Sequence, residues 1–370
     1  MPVPLMDLSS QHAALRSQFV DAFEKVLDSG QFILGPFVEQ FERDLGQYLG
    51  AKHVIGVSSG TDALLVAMMA MDIGPGDEVI TTPFTFFSTA GCIARLGAKP
   101  VFVDINPHTF NIDPEQVEAA IGDRTRAIIP VHLFGLPANM NAIRDIADTN
   151  NVRVIEDAAQ SLGARYRGQP VGSIGDVGCF SFYPTKILPT LGDAGAVTTD
   201  DDELARKIRM LRVHGSDVGY HYPLIGGNFR IDAVHAAILS IKLQHCEKWL
   251  EERRAQAERY NRKLETLPVG TPSEPETHYH VFNNYTIRVH GGTREGLRHH
   301  LDACDIGSRV YYPIPLHLQP CFDDLGYKQG DMPASEEAAE EVLSLPIFPG
   351  MSEEQQDEVI AAIEEFFKAE

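Results

Sequence analysis

A chain of 370 residues is longer than one core usually absorbs, so two lobes of unequal size are expected and a small peptide-binding module is excluded. Hydrophobic residues make up 44% and charged residues 22%, the balance of a folded enzyme rather than of a disordered or fibrous chain. Lys and Arg number 31 against 52 Asp and Glu, a formal net charge of −21, which argues against nonspecific attraction to nucleic acid or an anionic membrane and leaves any anionic ligand to local donors.

The first eleven residues show neither a basic nor an apolar leader region, and no stretch approaches the roughly 18 apolar residues of a membrane span. Cys92, Cys179, Cys246, Cys304 and Cys321 are scattered, without metal-site spacing, and read as reduced thiols. The expectation is a cytoplasmic protein without a metal, neither exported nor embedded in a membrane.

Short β-branched runs at 53–57, 78–81, 100–103, 126–131, 153–155, 178–182 and 196–199 read as strands. Amphipathic segments at 63–71, 114–121 and 140–149 alternate with them as helices, and Pro75-Gly76-Asp77 and Gly97-Ala98 supply turns. This rhythm predicts an α/β lobe built on a mostly parallel sheet with helices on both faces. After Ile231 a long helical stretch runs through Ile238, Ile241, Leu243 and Leu250 into Glu251-Glu252-Arg253-Arg254, read as a solvated face with intrahelical ion pairs. Beyond Pro268 a strand at 281–289, a helix at 294–302, a strand at 309–312 and two more helices predict a smaller α+β lobe. The expected division is 1–245, an N-terminal arm with the large lobe, and 246–370, the small lobe.

Three segments fall at predicted strand ends, where open α/β sheets place ligands. Ser58-Ser59-Gly60-Thr61-Asp62-Ala63-Leu64 leaves a strand and opens a helix whose free amides and partial positive charge suit a phosphate; Ser59 or Thr61 equally serves as a plain helix cap. Val154-Ile155-Glu156-Asp157 ends an apolar strand in two acids that alternation sends to opposite faces, and Asp157 is the one chosen to pair with a protonated ring nitrogen. Phe180-Ser181-Phe182-Tyr183-Pro184-Thr185-Lys186, followed by Gly192-Asp193-Ala194-Gly195, sets a lysine among aromatic and small residues, as an imine-forming amine of depressed pKa requires. Together the three point to pyridoxal phosphate.

With these, the ordered motifs Gly30-Gln31-Phe32-Ile33-Leu34-Gly35-Pro36, Pro83-Phe84-Thr85-Phe86, Glu156-Asp157-Ala158-Ala159-Gln160, Gly227-Asn228-Phe229-Arg230-Ile231-Asp232 and Tyr312-Pro313-Ile314-Pro315-Leu316-His317 make the chain resemble the DegT/DnrJ/EryC1/StrS sugar aminotransferases over nearly its whole length. These are pyridoxal phosphate enzymes of fold type I, like aspartate aminotransferase. The resemblance implies that Lys186 forms the internal aldimine and Asp157 binds the pyridinium nitrogen. It further implies that Ser59, Gly60, Thr61 and Ser181 hold the phosphate, that Gln160 lies near the ring hydroxyl, and that Phe86 stacks on the ring. Asn228 would reach the phosphate of a neighbouring subunit, which makes a homodimer with shared sites.

The implied reaction takes nitrogen from an amino acid, L-glutamate, and gives it to a nucleotide-linked keto sugar. A glutamine-dependent inosose aminotransferase is an alternative; so is a sugar dehydratase, although those relatives carry histidine at the lysine position. Arg230, His214, His221, Tyr312 and His317 are candidates for substrate contacts, with at most one of Tyr311 and Tyr312 facing the site if they lie on a strand. His278, His280, His299 and His300 read as surface residues. Ile187-Leu188-Pro189 departs from the family's usual Asn-Leu-Gly, which removes or reroutes a polar contact. A nicotinamide oxidoreductase lacks its G-x-G-x-x-G here, and a non-catalytic regulator would be expected to have lost the lysine or the aspartate.

Overall fold

Seven strands pair into one sheet in the order His53–Val57, Gly195–Thr199, Val177–Ser181, Arg153–Asp157, Thr125–Ile129, Glu78–Thr81 and Lys99–Phe102 in a computed structural model that describes residues 2–369. Met1 and Glu370, the outer ends of the two expected lobes, lie outside the described residues. Gly195–Thr199 runs antiparallel to both neighbours, and every other pair is parallel. Helices cover both faces, so side chains of both alternating sets are buried. Ile55, Ile155, Val177 and Val197 pack on one face against the helices Gly60–Ala70 and Asp202–Leu211. On the other face Val54, Phe180 and Ala196 meet Ile238 and Leu250, and Ile80, Ile128 and Val154 meet Val117 and Ile143.

Two N-terminal helices, Ser9–Ser29 and Pro36–Leu49, precede the sheet. Gly30, at φ 65°, ends the first in the left-handed region that favours glycine, and Pro36 opens the second at a position that needs no N–H. No described helix is long and apolar enough to cross a membrane.

A second, antiparallel sheet joins Val269–Gly270, Tyr285–Val289 and Val342–Leu345. Its core gathers Tyr260, Tyr285, Ile287, Leu297, Leu343 and Ile363 beneath the helices Cys246–Leu264, Arg294–Ala303 and Glu353–Ala369. Val3 belongs to the same cluster and pairs in parallel with Ile306, so the early segment of the chain packs with this C-terminal sheet.

Several expectations are corrected. The helical stretch after Ile231 is two helices, Ala233–Leu243 and Cys246–Leu264. Within the charged run Arg253 is not solvated: it is 2% exposed, and its guanidinium donates to the backbone carbonyls of Phe282, Asn283 and Ile347. Arg254 donates to Glu274 and to the His280 carbonyl rather than along its own helix. Residues 309–312 form no strand beyond the Arg309–Ser344 bridge, since Pro313 and Pro315 offer no N–H to continue a ladder. The strand that completes the sheet is Val342–Leu345, which follows the helix Pro333–Glu341 without a turn residue to announce it. His280 is buried and stacks on Phe282 with ring centroids 3.9 Å apart, not a surface residue.

Candidate active site

Direction in the sheet brings the three strand ends to one edge. His53–Val57 and Val177–Ser181 both run antiparallel to Gly195–Thr199, and both Val57 and Ser181 sit opposite Gly195. Asp157 pairs with Cys179 on the adjoining strand. The approach at this edge is close: a Cβ on Gly60 would lie 2.6 Å from the Ser181 Cβ, and one on Gly195 would collide with the Ser59 carbonyl. Glycine is required at both places so that the helix start and the strand end can form one small cradle.

The helix Gly60–Ala70 starts from Ser59, whose hydroxyl accepts from the Asp62 N–H (3.0 Å) and donates to Asp62 Oδ2 (3.0 Å). Its one proton is committed to the cap, so what Ser59 offers a ligand is its backbone. The Thr61 hydroxyl meets that of Ser88 at 2.7 Å, which ties this helix start to that of Ser88–Arg95.

Glu156 and Asp157 face opposite sides of their strand. Glu156 is fully buried and accepts from Gly172, Ile174 and Gly175 N–H groups at 2.8, 2.7 and 2.6 Å. His132 Nδ1 accepts from the Ala138 N–H, which leaves Nε2 as the donor to Glu156 at 2.9 Å. Burial works to raise the Glu156 pKa, yet the His132 bond and the backbone donors together hold it below the usual carboxylate range. Glu156→Gln is expected to cost about 2–4 kcal/mol at pH 7, because buried donors lose a charged acceptor. A lowered folded-state pKa means that this contribution is complete above the unfolded value of about 4.3 and is lost as pH falls through the folded one. Urea midpoints should therefore differ most at neutral pH and converge on acidification; equal midpoints at pH 7 would refute the assignment.

Asp157 points the other way. Its Oδ2 accepts from the Thr89 hydroxyl at 2.8 Å and its Oδ1 from the Ala159 N–H at 3.2 Å. Burial pushes its pKa up, while those two donors and the positive charge of Lys186 pull it down. Lys186 follows Pro184 in a turn closed by its N–H to the Tyr183 carbonyl. The next residues, Ile187 and Leu188, are buried beside Phe182 and Leu239, so the apolar departure from Asn-Leu-Gly anchors the base of the lysine loop in the core. Partial burial brings the Lys186 amine down to about 8 against the opposing pull of Asp157. Its Nζ makes no hydrogen bond or ion pair among the described residues.

Gln160 is spanned between two partners: Oε1 accepts from the Phe134 N–H (2.8 Å) and Nε2 donates to the Tyr312 hydroxyl (3.1 Å). Burial raises the Tyr312 pKa, so it stays a neutral phenol. The exposed Phe86 ring lies 6.5 Å from that of Tyr312. The Arg230 backbone bridges to Val57, and its buried Nε has no partner.

Two other segments, 214–228 and Leu316–Leu318, carry the remaining candidates. His214 and Asn228 are exposed on the segment 214–228, and their backbones bond Gly227 and Val213. His221 is exposed and pairs with Asp217 at 2.8 Å on the same segment. His317 is buried, its Nε2 meets Glu336 at 3.1 Å near the start of Pro333–Glu341, and its Nδ1 has no hydrogen-bond partner among the described residues. Sequence reasoning missed Thr89, Ser88 and His132. The hydroxyls of Ser88-Thr89 directly after Thr85-Phe86-Phe87 were a usable signal; His132 had none.

The chain is similar to known proteins along its length. The model of the DegT/DnrJ/EryC1/StrS aminotransferase family matches residues 13–364. A "pleiotropic regulatory protein" of Geobacillus stearothermophilus is 52% identical over 100% of this chain and 99% of the relative. A UDP-N-acetyl-3-dehydro-alpha-D-glucosamine 3-aminotransferase of Acidithiobacillus ferrooxidans is 44% identical over 95% of each. The crystal structure of S. venezuelae DesV in complex with a ketimine intermediate, 42% identical, superposes with a TM-score of 0.96 over 99% of this chain and 98% of that one. With its mostly parallel seven-stranded sheet and fold-type-I architecture, the chain belongs to the DegT/DnrJ/EryC1/StrS aminotransferase family.

Proposed function

We propose that this protein is a pyridoxal-phosphate-dependent aminotransferase that moves an amino group from an amino acid, L-glutamate, to a keto sugar linked to a nucleoside diphosphate. The observation that carries the reading is a partly buried amine, Lys186, in the field of a buried carboxylate, Asp157, beside the cradle of Gly60 and Ser181. This donor set suits each end of the cofactor. The amides of Gly60 and Thr61 and the hydroxyl of Ser181 would hold the phosphate, Asp157 the ring nitrogen, Lys186 the carbonyl carbon. Gln160 would lie by the ring hydroxyl and Phe86 over the ring face. When bound, the cofactor supplies an electron sink for a carbanion.

The protein's own part is positioning and proton transfer. Asp157 would hold a proton at the ring nitrogen of the bound cofactor. Lys186, with a pKa near 8, is partly unprotonated at neutral pH, so it takes the proton from the donor's α-carbon and can give it back. A side chain at position 60 or 195 would crowd the cradle that a phosphate would need. Arg230, with its buried unpartnered Nε, is a ready donor to a substrate anion in a strongly acidic protein. The nucleotide-linked acceptor is supported by the Acidithiobacillus relative.

The proposed unit is a homodimer in the cytoplasm. Val218, Tyr220 and Ile225 are 79%, 94% and 91% exposed on the segment that ends at Asn228, apolar groups that a second copy would cover while Asn228 reaches its phosphate. A regulatory reading, in line with the Geobacillus relative's name, has no use for a lone amine set against a buried carboxylate. The test is a glutamate-dependent screen against UDP- and dTDP-linked keto sugars, read by mass spectrometry. An amino sugar with matching 2-oxoglutarate is expected. Product only with glutamine and an inosose would transfer the assignment to that reaction, and no product with either donor would favour regulation.

A further inference from the structure

The first turn of the helix Ser88–Arg95 places a threonine on the carboxylate of Asp157. Thr89, Thr85 and Asp157 are 1%, 2% and 5% exposed, so water does not compete for these groups. Thr89 carries one hydroxyl proton, and it is donated to Asp157 Oδ2 at 2.8 Å. The 3.3 Å contact between the Thr85 and Thr89 hydroxyls must then run from Thr85 to Thr89. The result is a directed chain, Thr85 to Thr89 to Asp157, in which each bond polarises the next. The Ala159 N–H on Oδ1 fixes the second oxygen, so the plane of the carboxylate is set by two donors on opposite sides.

We propose that Thr89 is a positioning residue that keeps Asp157 ionised and oriented for the ring nitrogen of the cofactor; this rests on the reading of Asp157 given above. The argument is one of balance. Burial favours the neutral acid, and a neutral acid cannot hold a proton on a facing nitrogen. The other groups around Asp157 are Lys186, whose charge helps; His132, whose ring is turned to Glu156; and Cys92, Cys179 and Tyr312, all neutral because burial and, after it, proximity to Asp157 raise their pKa values. Were the Lys186 amine taken up by the cofactor, Thr89 and the Ala159 amide would be the donors left to the Asp157 carboxylate.

The experiment compares Thr89→Val, which removes the donor at near-constant shape, with Thr89→Ser, which keeps it, in protein loaded with pyridoxal phosphate. Thr89→Val is expected to lower kcat about 10- to 100-fold, the size of a lost hydrogen bond to a charged group. Because Asp157 then ionises less readily, the acid limb of the kcat profile moves to higher pH, and the pH dependence of the bound cofactor's absorbance moves with it. Thr89→Ser should restore both. Should the valine variant fail to fold, Thr89→Ala takes its place against Thr89→Ser. A valine or alanine variant with the wild-type rate and spectrum, beside an inactive Asp157→Asn, would overturn the role of Thr89 and leave Asp157 standing. A serine variant as impaired as valine would also overturn it, since packing and not the donor would then matter. A fully active Asp157→Asn would remove the reading of Asp157, and this inference with it.

Discussion

Lys186→Ala is expected to lose turnover by about 10,000-fold or more, the upper end of what one positioned proton shuttle contributes, while circular dichroism and melting stay near those of the parent protein. The companion measurement is chemical. Apoprotein mixed with pyridoxal phosphate and trapped with borohydride should carry the label on the peptide containing Lys186. The trapping rate should climb with pH and level off above about 8, because the neutral amine is the nucleophile and burial sets its pKa there. Lys242 is an internal control. Burial also brings its amine down to about 8, but it lies between helices against His12 (3.2 Å) and the Phe19 ring. Ionisation alone would label both lysines; the cradle at the strand ends should direct the label to Lys186 only. Equal labelling would defeat the assignment.

Asp157→Asn is expected to lower kcat about a hundredfold to a thousandfold, the usual loss when one preorganised electrostatic partner is removed. Asparagine can still accept from Thr89 but carries no charge to hold a proton on a ring nitrogen. Stability should move the opposite way. A carboxyl whose folded pKa is raised binds its proton more tightly in the folded state, so stability falls as pH rises from below the unfolded value through the folded one. Above the folded pKa the folded protein bears the full cost of that charge, and there the asparagine variant should melt at or above the parent's Tm. A variant that is both inactive and much less stable would assign Asp157 to structure instead.

The large sheet was legible because strands buried on both faces are short, β-branched and bounded by turns such as Pro75-Gly76-Asp77, all local signals. The division of labour between Glu156 and Asp157 was legible for the same reason, since alternation is a property of two adjacent residues. What escaped is non-local. Arg253 reads as surface in a run of charges, and only carbonyls supplied by Phe282, Asn283 and Ile347 make a buried guanidinium tolerable. The donors to Glu156 come from two separate loops, and His317 finds Glu336 nineteen residues further along the chain. Residues whose chemistry depends on a partner far along the chain look ordinary until the partner is in view. Thr89 stood in between, a hydroxyl in a suitable place whose target could not be read.

The bridge between Val3 and Ile306 has a consequence for biosynthesis. Val3 cannot dock until Ile306 has been made, so it waits while the whole large sheet, whose last strand ends at Thr199, emerges. A bulky fusion placed ahead of Val3 would therefore burden a late docking step rather than the first, and the large sheet should be complete before that burden is felt.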